Sequence, residues 1–446
     1  MANTKKRIVV EGLTREFVLP NDKLQRVSDL LLHEFKCGLN NEPSTLKMLI
    51  TFVRDVSNGT ERGKFLALDL GGTNFRVLLI ELDSNKFGMD NEIFAIPQEI
   101  MLGTGQQLFD HIAECLLKFA DSRNLPKNLP LGFTFSFPCR QEGLTKARLI
   151  TWTKGFKCSG VENEDVVQLL RESMRRLDVH IDVVAVVNDT TGTLMSCAHK
   201  SPDCRAGIIV GTGTNACYME RLDNVRTWNG ERDEPSQVII NTEWGAFGDN
   251  GCLNYLRTKY DHEVDACSLN PGLQLFEKMI SGMYMGEIAR RIIVEMIEQK
   301  LLFKGNTSEK MNTPYAFKSK YISEVESDPK HSYTQTKLVL KKMNIEGADE
   351  DDYECLRLIC TRVSTRAAHL VSAGIATILN RMQRPHTTVG VDGSVYRYHP
   401  HFHKLMEEKI SELTNPEYKF GLMLSEDGSG RGAALVAAVA CREHEQ

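Results

Sequence analysis

Apolar residues recur along the chain in two periods. Strand-like apolar runs at 65–70 and 75–80, and short, β-branched-rich ones at 131–137, 181–187, 207–210, 238–241 and 387–391, predict strands. Between them the spacing changes to that of helices. Leu108, Ile112, Leu116 and Phe119 share one helix face, as do Val166, Leu169, Leu170, Met174 and Leu177. One long pattern runs from Pro271 to about Leu302, with the proline near the first turn, where its missing N–H costs nothing. Another runs from about Asp352 to Met382. Strands alternating with helices predict an α/β protein. No low-complexity stretch or Pro/Gly-rich linker separates domains, so any division must be made by folded crossings.

Composition narrows this picture. The 446 residues, 41% of them hydrophobic, suffice for one large core or two medium ones. A formal net charge of −5 argues against a dedicated nucleic-acid binder, while leaving room for a local anion site. No run of about 18 apolar residues is present, so no membrane span is expected. The basic stretch Lys5-Lys6-Arg7 has no apolar core of signal-peptide length behind it. The 12 cysteines are scattered from Cys37 to Cys441 without a Cys-x-x-Cys pair, and Cys115 and Cys217 sit in apolar runs. Reduced thiols in a cytoplasmic protein are expected. The acidic run from Asp349 to Asp352 suits the first turn of the helix after it better than a metal.

Two glycine turns carry the candidate phosphate chemistry. Asp69-Leu70-Gly71-Gly72-Thr73-Asn74 lies between two predicted strands. Bare amides and a Thr hydroxyl can wrap phosphate oxygens, and Asp69 at the strand end would face the accompanying metal, through water if it is Mg²⁺. An ordinary hairpin is the competing reading. Thr212-Gly213-Thr214-Asn215 echoes Gly71-Gly72-Thr73-Asn74, again between a strand and a second strand-like run, and suggests two similar half-units. Gly211 to Ala216 also fits G-x-G-x-x-A, but a strand follows where the dinucleotide fingerprint needs a helix. No P-loop motif occurs. Ser425 to Ala434 opens a glycine-rich helix, whose N-terminus favours anions, and Gly390-Val391-Asp392-Gly393-Ser394 ends another strand in a similar turn.

A third constellation is of acid–base and polyhydroxyl type. The apolar run at 184–187 ends in Asn188-Asp189-Thr190. A carboxylate there can serve as a general base, or simply cap the next helix. Ser136, Thr153, Lys154, Asn241, Glu243, Gln274 and Glu277 also punctuate apolar runs. Gln274 and Glu277 share a helix face at their spacing. Amides, carboxylates, a hydroxyl and an ammonium suit a ligand in which each hydroxyl needs both donor and acceptor.

Nine segments, in order, resemble the hexokinase/glucokinase family: LALDLGGTNFRVLL at 66–79, LGFTFSFPC at 131–139, TWTKGFK at 151–157, VAVVNDTTGTL at 184–194, GTGTNACYME at 211–220, NTEWGAFGD at 241–249, PGLQLFEKMISGMYMGE at 271–287, TVGVDGSVY at 388–396 and SEDGSGRGAALVAAVA at 425–440. The resemblance implies an actin-like ATPase fold of two duplicated ribonuclease-H-like lobes flanking a cleft. The smaller lobe would be residues 52–195 with the helix at 430–446 returning to it, and the larger 1–51 and 196–429. It implies one catalytic unit that phosphorylates glucose and related hexoses at the 6-hydroxyl, using ATP and Mg²⁺ and releasing ADP. Asp189, with Lys154, would be catalytic. Ser136, Phe137, Pro138, Thr153, Lys154, Asn188, Asp189, Asn215, Glu243, Gln274 and Glu277 would hold the sugar. Asp69, Gly71, Gly72, Thr73, Asn74 and Arg76 would form the first phosphate element, Thr212 the second, with Gly393, Ser394 and Ser429 at the nucleotide. No protein-borne metal site is expected. Arg431 stands where many members carry Lys, which keeps charge but not geometry. A monomer without membrane anchor is expected, and sugar binding should close the cleft. Two rival readings are a sugar-responsive regulator without phosphoryl transfer and an actin- or chaperone-type ATPase. The segments at 131–157 and 271–277 count against the second.

Overall fold

The computed structural model describes residues 2–72, 74–83, 86–152, 155–426 and 428–444. Its strands are β1 (Leu49–Ile50), β2 (Gly63–Leu70), β3 (Asn74–Asp83), β4 (Lys86–Ala95), β5 (Leu129–Phe135), β6 (Cys139–Gly143), β7 (Lys146–Leu149), β8 (Ile181–Val187), β9 (Cys204–Val210), β10 (Thr214–Arg221), β11 (Gln237–Asn241), β12 (His386–Asp392) and β13 (Lys419–Leu424). The helices that position the site are α1 (Gly105–Ser122), α2 (Val166–Arg176), α3 (Asp189–Ala198), α4 (Leu275–Ile280), α5 (Met285–Glu298), α6 (Ser319–Glu326), α7 (Glu350–Met382), α8 (Ser394–Tyr398) and α9 (Gly428–His444).

Two sheets organise these elements. One has the order β4-β3-β2-β5-β8 and the other β1-β11-β10-β9-β12-β13. In the first, β2, β3 and β4 form an antiparallel meander, and β5 and β8 extend it in parallel. In the second, β9, β10 and β11 form the meander, and β12 and β13 the parallel extension. Apart from the short edge strand β1, the sheets share one topology. This is the duplicated, actin-like arrangement of the expected α/β fold.

The sequence periods explain the layers. Along β2, Leu66, Leu68 and Leu70 enter one core with Leu108, Ile112, Leu116 and Phe119 of α1. Phe65 and Ala67 point to the other face, against Ala433–Ala438 of α9. The same alternation puts Asp69 and Arg76 on the α9 side, as neighbours of Ala67 and Leu78 in period two. A Thr104–Gln107 capping box starts α1, and Asp165 caps α2. The acidic run does cap a helix: Asp349 and Asp352 form the capping box of α7, and Lys6 pairs with Asp352 at 2.8 Å. Cys115 and Cys217 are buried, and no disulfide occurs among the described residues. No described helix is long and apolar enough to cross a membrane.

Two expectations need correction. The strand predicted at 131–137 is Leu129–Phe135, because Pro138 has no N–H to extend the ladder and the chain turns at Ser136. The long helix predicted from Pro271 to Leu302 is two helices, α4 and α5, with Pro271 outside both. Between them the amides of Gly282 and Met283 donate to the carbonyls of Gly211 and Thr212, at 2.8 and 3.2 Å. Tertiary hydrogen bonds to a glycine turn replace the helical ones.

Two glycines let helix α9 take its seat. A Cβ on Gly432 would stand 1.8 Å from the carbonyl oxygen of Gly192 in α3, and one on Gly132 in β5 would stand 1.9 Å from that of Ala433. Only bare Cα atoms allow these approaches. Gly432→Ala is therefore expected to destabilise the protein by about 1–3 kcal/mol or more, read as a lower midpoint in thermal or urea unfolding. An unchanged midpoint would contradict so close a contact.

Candidate active site

The two glycine turns join antiparallel strands in both sheets. Leu70 pairs with Phe75 across the first and Val210 with Thr214 across the second, so the first turn is one residue longer. At the first, a Cβ on Gly72 would meet nothing within 4 Å, and one on Gly71 would touch Ser136 at 3.4 Å. Asn74 is exposed beside them. Asp69 and Arg76 stand at the base of this hairpin, 3.8 Å apart. At the second, Thr212 is exposed, and Gly213 is compelled by Glu277, whose Oε2 would lie 2.6 Å from an added Cβ.

The start of α9 links the two turns. A Cβ on Gly428 would lie 3.4 Å from Arg76 Nη2 and 3.5 Å from Asp392 Oδ2, and one on Gly430 would lie 3.5 Å from Asp69 Oδ2. Asp392 ends β12 and accepts the N–H of Gly393 at 2.7 Å. Gly393 has φ +110°, and its Cα packs on Val210 and Gly211 of the second turn. Ser394 is exposed at the start of α8. The first hairpin, the helix N-terminus, the 393–394 turn and the second hairpin thus form one continuous surface. Helix N-termini and bare turns both favour anions. Arg431 lies one turn further on, its guanidinium 3.9 Å from the centroid of the Phe87 ring. Thr73, Thr153 and Lys154 lie outside the described residues, as does the side chain of Ser429.

The polyhydroxyl-type residues gather below. Asn241 Nδ2 and Asn215 Nδ2 donate to Glu243 Oε1 at 2.7 and 3.1 Å, and Asn215 Nδ2 also reaches Asn241 Oδ1 at 2.9 Å. Glu277 Oε2 accepts the Thr214 N–H at 2.9 Å. Glu243 and Gln274 both occupy the left-handed region, at φ 52° and 59°. A side chain is strained there, and such strain collects at functional sites. Asp249 sustains it at Gln274 by accepting the N–H groups of Gln274 and Leu275 at 3.0 and 2.9 Å. The Gln274 side chain lies over Gly245, where a Cβ would meet its Oε1 at 2.3 Å.

The opposite wall comes from the other sheet. A narrow cavity is lined by Phe135, Phe137, Val187 and Asn188 on one side and Leu49, Asn241 and Glu243 on the other. Phe137 is buried in an aromatic group with Trp152 and Phe156, ring centroids 4.9 and 5.0 Å away. Pro138 accepts the Ile150 N–H at 2.8 Å. Asp189 is the first residue of α3, directly after the buried end of β8. The capping reading belongs to its neighbour: Asn188 Oδ1 accepts the Thr191 N–H at 3.0 Å. Burial raises the Glu243 carboxyl above the usual carboxylate range; the hydrogen bond from Asn241 and the charge of Lys47 oppose that shift, and the charge of Asp189 adds to it. Asp189, at the start of α3, and Glu243, just after β11, therefore act on each other electrostatically.

Of the predicted residues that can be placed, Asn188, Asn215, Glu243, Gln274 and Glu277 come together around this floor, with Asp189 next to Asn188, while Ser136 lies against Gly71 of the first turn. Asp69, Gly71, Gly72, Asn74, Arg76, Thr212, Gly393 and Ser394 form the anion-favouring surface above. Sequence reasoning missed Asp249, whose role needs the left-handed turn at Gln274, and Gly282. The Ser281-Gly282 break within a helical pattern was the available signal for the latter. Among the described residues, no three His, Cys, Asp or Glu side chains are grouped to hold a metal.

Two family models, both described as hexokinase, match residues 9–199 and 205–439. The chain is 48% identical over 441 residues to Hexokinase-2 of Homo sapiens and 48% identical over 437 residues to Hexokinase HKDC1 of Mus musculus, in each case across 96% of this chain and 47% of the relative. It thus spans about half the length of the curated relatives it matches. A solved structure of hexokinase from Schistosoma mansoni complexed with glucose superposes with a TM-score of 0.90 at 43% identity, covering 98% of this chain and 99% of that one. Motifs, topology and these likenesses agree, and the chain belongs to the hexokinase family.

Proposed function

We propose that this protein phosphorylates glucose and related hexoses at the 6-hydroxyl with ATP, giving the hexose 6-phosphate and ADP. The observation that carries the reading is the cavity that Asn188 and Glu243 line from facing walls, with Asp189 next to Asn188 at the start of α3, near two glycine turns that converge on one helix N-terminus. The glucose bound in the Schistosoma mansoni relative supports the choice of sugar. In this reading, residues 52–195 with α9 form a smaller lobe that closes on the remainder.

Each group then has a task. Glu243, Asn215, Asn188, Gln274 and Glu277, with Ser136, Thr153 and Lys154 from the facing lobe, hold the sugar hydroxyls. The strained backbone at Glu243 and Gln274 sets those side chains in place before the ligand arrives, which lowers the entropy cost of binding. Asp189 accepts the proton of the 6-hydroxyl as it attacks, and Lys154 is the second catalytic group. The turns at 71–74 and 211–213, the Gly393–Ser394 turn and Ser429 bind the nucleotide and its phosphates. The residues fit such a ligand: bare amides and the dipole of a 17-residue helix face it, and Asp69 lies beside them to orient a hydrated cation. Magnesium would supply charge neutralisation on the transferred phosphoryl group. Closing the lobes would exclude water and limit hydrolysis of ATP.

A coupled assay for glucose 6-phosphate tests the reading directly, and glucose binding without product would favour a sugar-responsive regulator instead. Asp189→Ala is expected to lower kcat by about 10²–10⁴-fold while glucose still binds. Turnover near the wild-type rate would remove the base assignment. Since burial holds the Glu243 carboxyl above its usual range, its ionised, sugar-accepting form is lost at a higher pH than an ordinary carboxylate would be. Glucose affinity, measured by calorimetric titration, should therefore weaken as pH falls from 7 towards 5. Glu243→Gln should bind more weakly at pH 7 and show a flatter dependence.

A further inference from the structure

Behind the cleft lies a buried polar cluster for which the proposed reaction has no direct use. Its members come from three elements. Glu326 ends α6, Ser364 lies within α7, and His399 follows α8. The Glu326 and His399 side chains are 3% and 1% exposed, and Ser364 is fully buried. Ser364 Oγ donates to Glu326 Oε1 at 2.7 Å, and His399 Nε2 lies 3.3 Å from the same oxygen. The backbone N–H of His401 donates to His399 Nδ1 at 3.3 Å. An accepting Nδ1 puts the ring proton on Nε2, so the imidazole donates to the carboxylate. Burying these groups is costly unless they are bonded to one another, and a bonded cluster fixes orientation more sharply than apolar packing does.

What the cluster orients is α8. This helix has five residues, too few to hold its own geometry. Gly393 is the residue that caps its start, and at its far end His399 donates its backbone N–H to the Val395 carbonyl at 3.0 Å. Arg397 ties the near end, through Nη2, to Asp392 Oδ1 at 3.0 Å and to the Ser425 carbonyl at 2.6 Å. The opposite end of α6 reaches the other nucleotide turn. Ser319 Oγ donates to the Gly282 carbonyl at 2.5 Å, and the Gly282 N–H donates to Gly211 at 2.8 Å. One helix thus braces the supports of both turns.

We propose that Glu326 and His399 are positioning residues for the nucleotide, fixing the Gly393–Ser394 turn, through α8, against the hairpin at 211–213. The inference rests on the reading of these turns as the nucleotide site. The test is calorimetric titration of the full chain with ADP and magnesium and, separately, with glucose. His399→Leu removes the donor to Glu326. It should weaken ADP binding by about fivefold to tenfold, the scale of one lost hydrogen bond, and leave glucose binding within about twofold. His399→Gln keeps an N–H at similar reach and should retain ADP affinity. If His399→Leu is poorly folded, Ser364→Ala should show the same ADP-selective loss at smaller size. Unchanged ADP affinity, equal losses for both ligands, or equal losses in the Leu and Gln variants would each overturn the proposal. A wild-type chain that binds glucose but no ADP would overturn the nucleotide reading as well, whereas ADP binding that survives every variant removes the positioning role alone.

Discussion

Two carboxylates of like charge, Asp189 at the start of α3 and Glu243 just after β11, act on each other beside a partly dry pocket, and the surrounding structure is arranged to tolerate that. Burial alone would drive Glu243 towards its neutral form, and the charge of Asp189 pushes the same way. The amides of Asn241 and Asn215 and the charge of Lys47 act against both. The net shift stays upward, so the Glu243 carboxyl sits above its usual range while bonded to both amides. The interaction of the two carboxylates also makes the relative placement of the two sheets an electrostatic matter as well as one of packing.

The supports of the two walls differ in kind. Asp189 is aimed by regular structure: an apolar strand delivers it, and Asn188 takes over the capping of α3. Glu243 and Gln274 are aimed by irregular structure, each in a left-handed conformation. At Gln274 the strain is sustained by Asp249, and at Glu243 by amide bonds to the carboxylate. Residues held this way cannot relax without losing those partners, so one wall is set by the fold's regularity and the other by its exceptions.

Much of this was legible in the sequence, for definite reasons. The strand–turn–strand echo between Gly71-Gly72-Thr73-Asn74 and Thr212-Gly213-Thr214-Asn215 reports a real repeat of hairpins at the same place in two like sheets, because a glycine turn between apolar runs leaves few alternatives. Period-four spacing gave the buried face of α1. The run at 271–302 misled because its helical pattern is genuine on both sides of Ser281-Gly282, and only the three-dimensional neighbour Gly211 supplies the bonds that interrupt it. Asp249 was invisible as a functional group for a related reason. Its carboxylate serves a backbone conformation, and a single sequence does not display left-handed turns at a glutamine. The capping alternative for Asp189 failed by one residue, since Asn at the preceding position is an equally good cap and sits at the strand end.

The seating of α9 has a consequence for the order in which the molecule can be made. Strands β2, β3, β5 and β8 are complete by residue 187, yet one face of their sheet has α9, beginning at residue 428, as its cover. On the ribosome, that apolar face must wait for some 240 further residues to be synthesised, five of the six strands of the second sheet among them. Contacts of such long sequence separation form slowly, because the intervening chain must be ordered before they repay its entropy. That face of the first sheet is therefore the part left uncovered longest, and the arrival of α9 closes it.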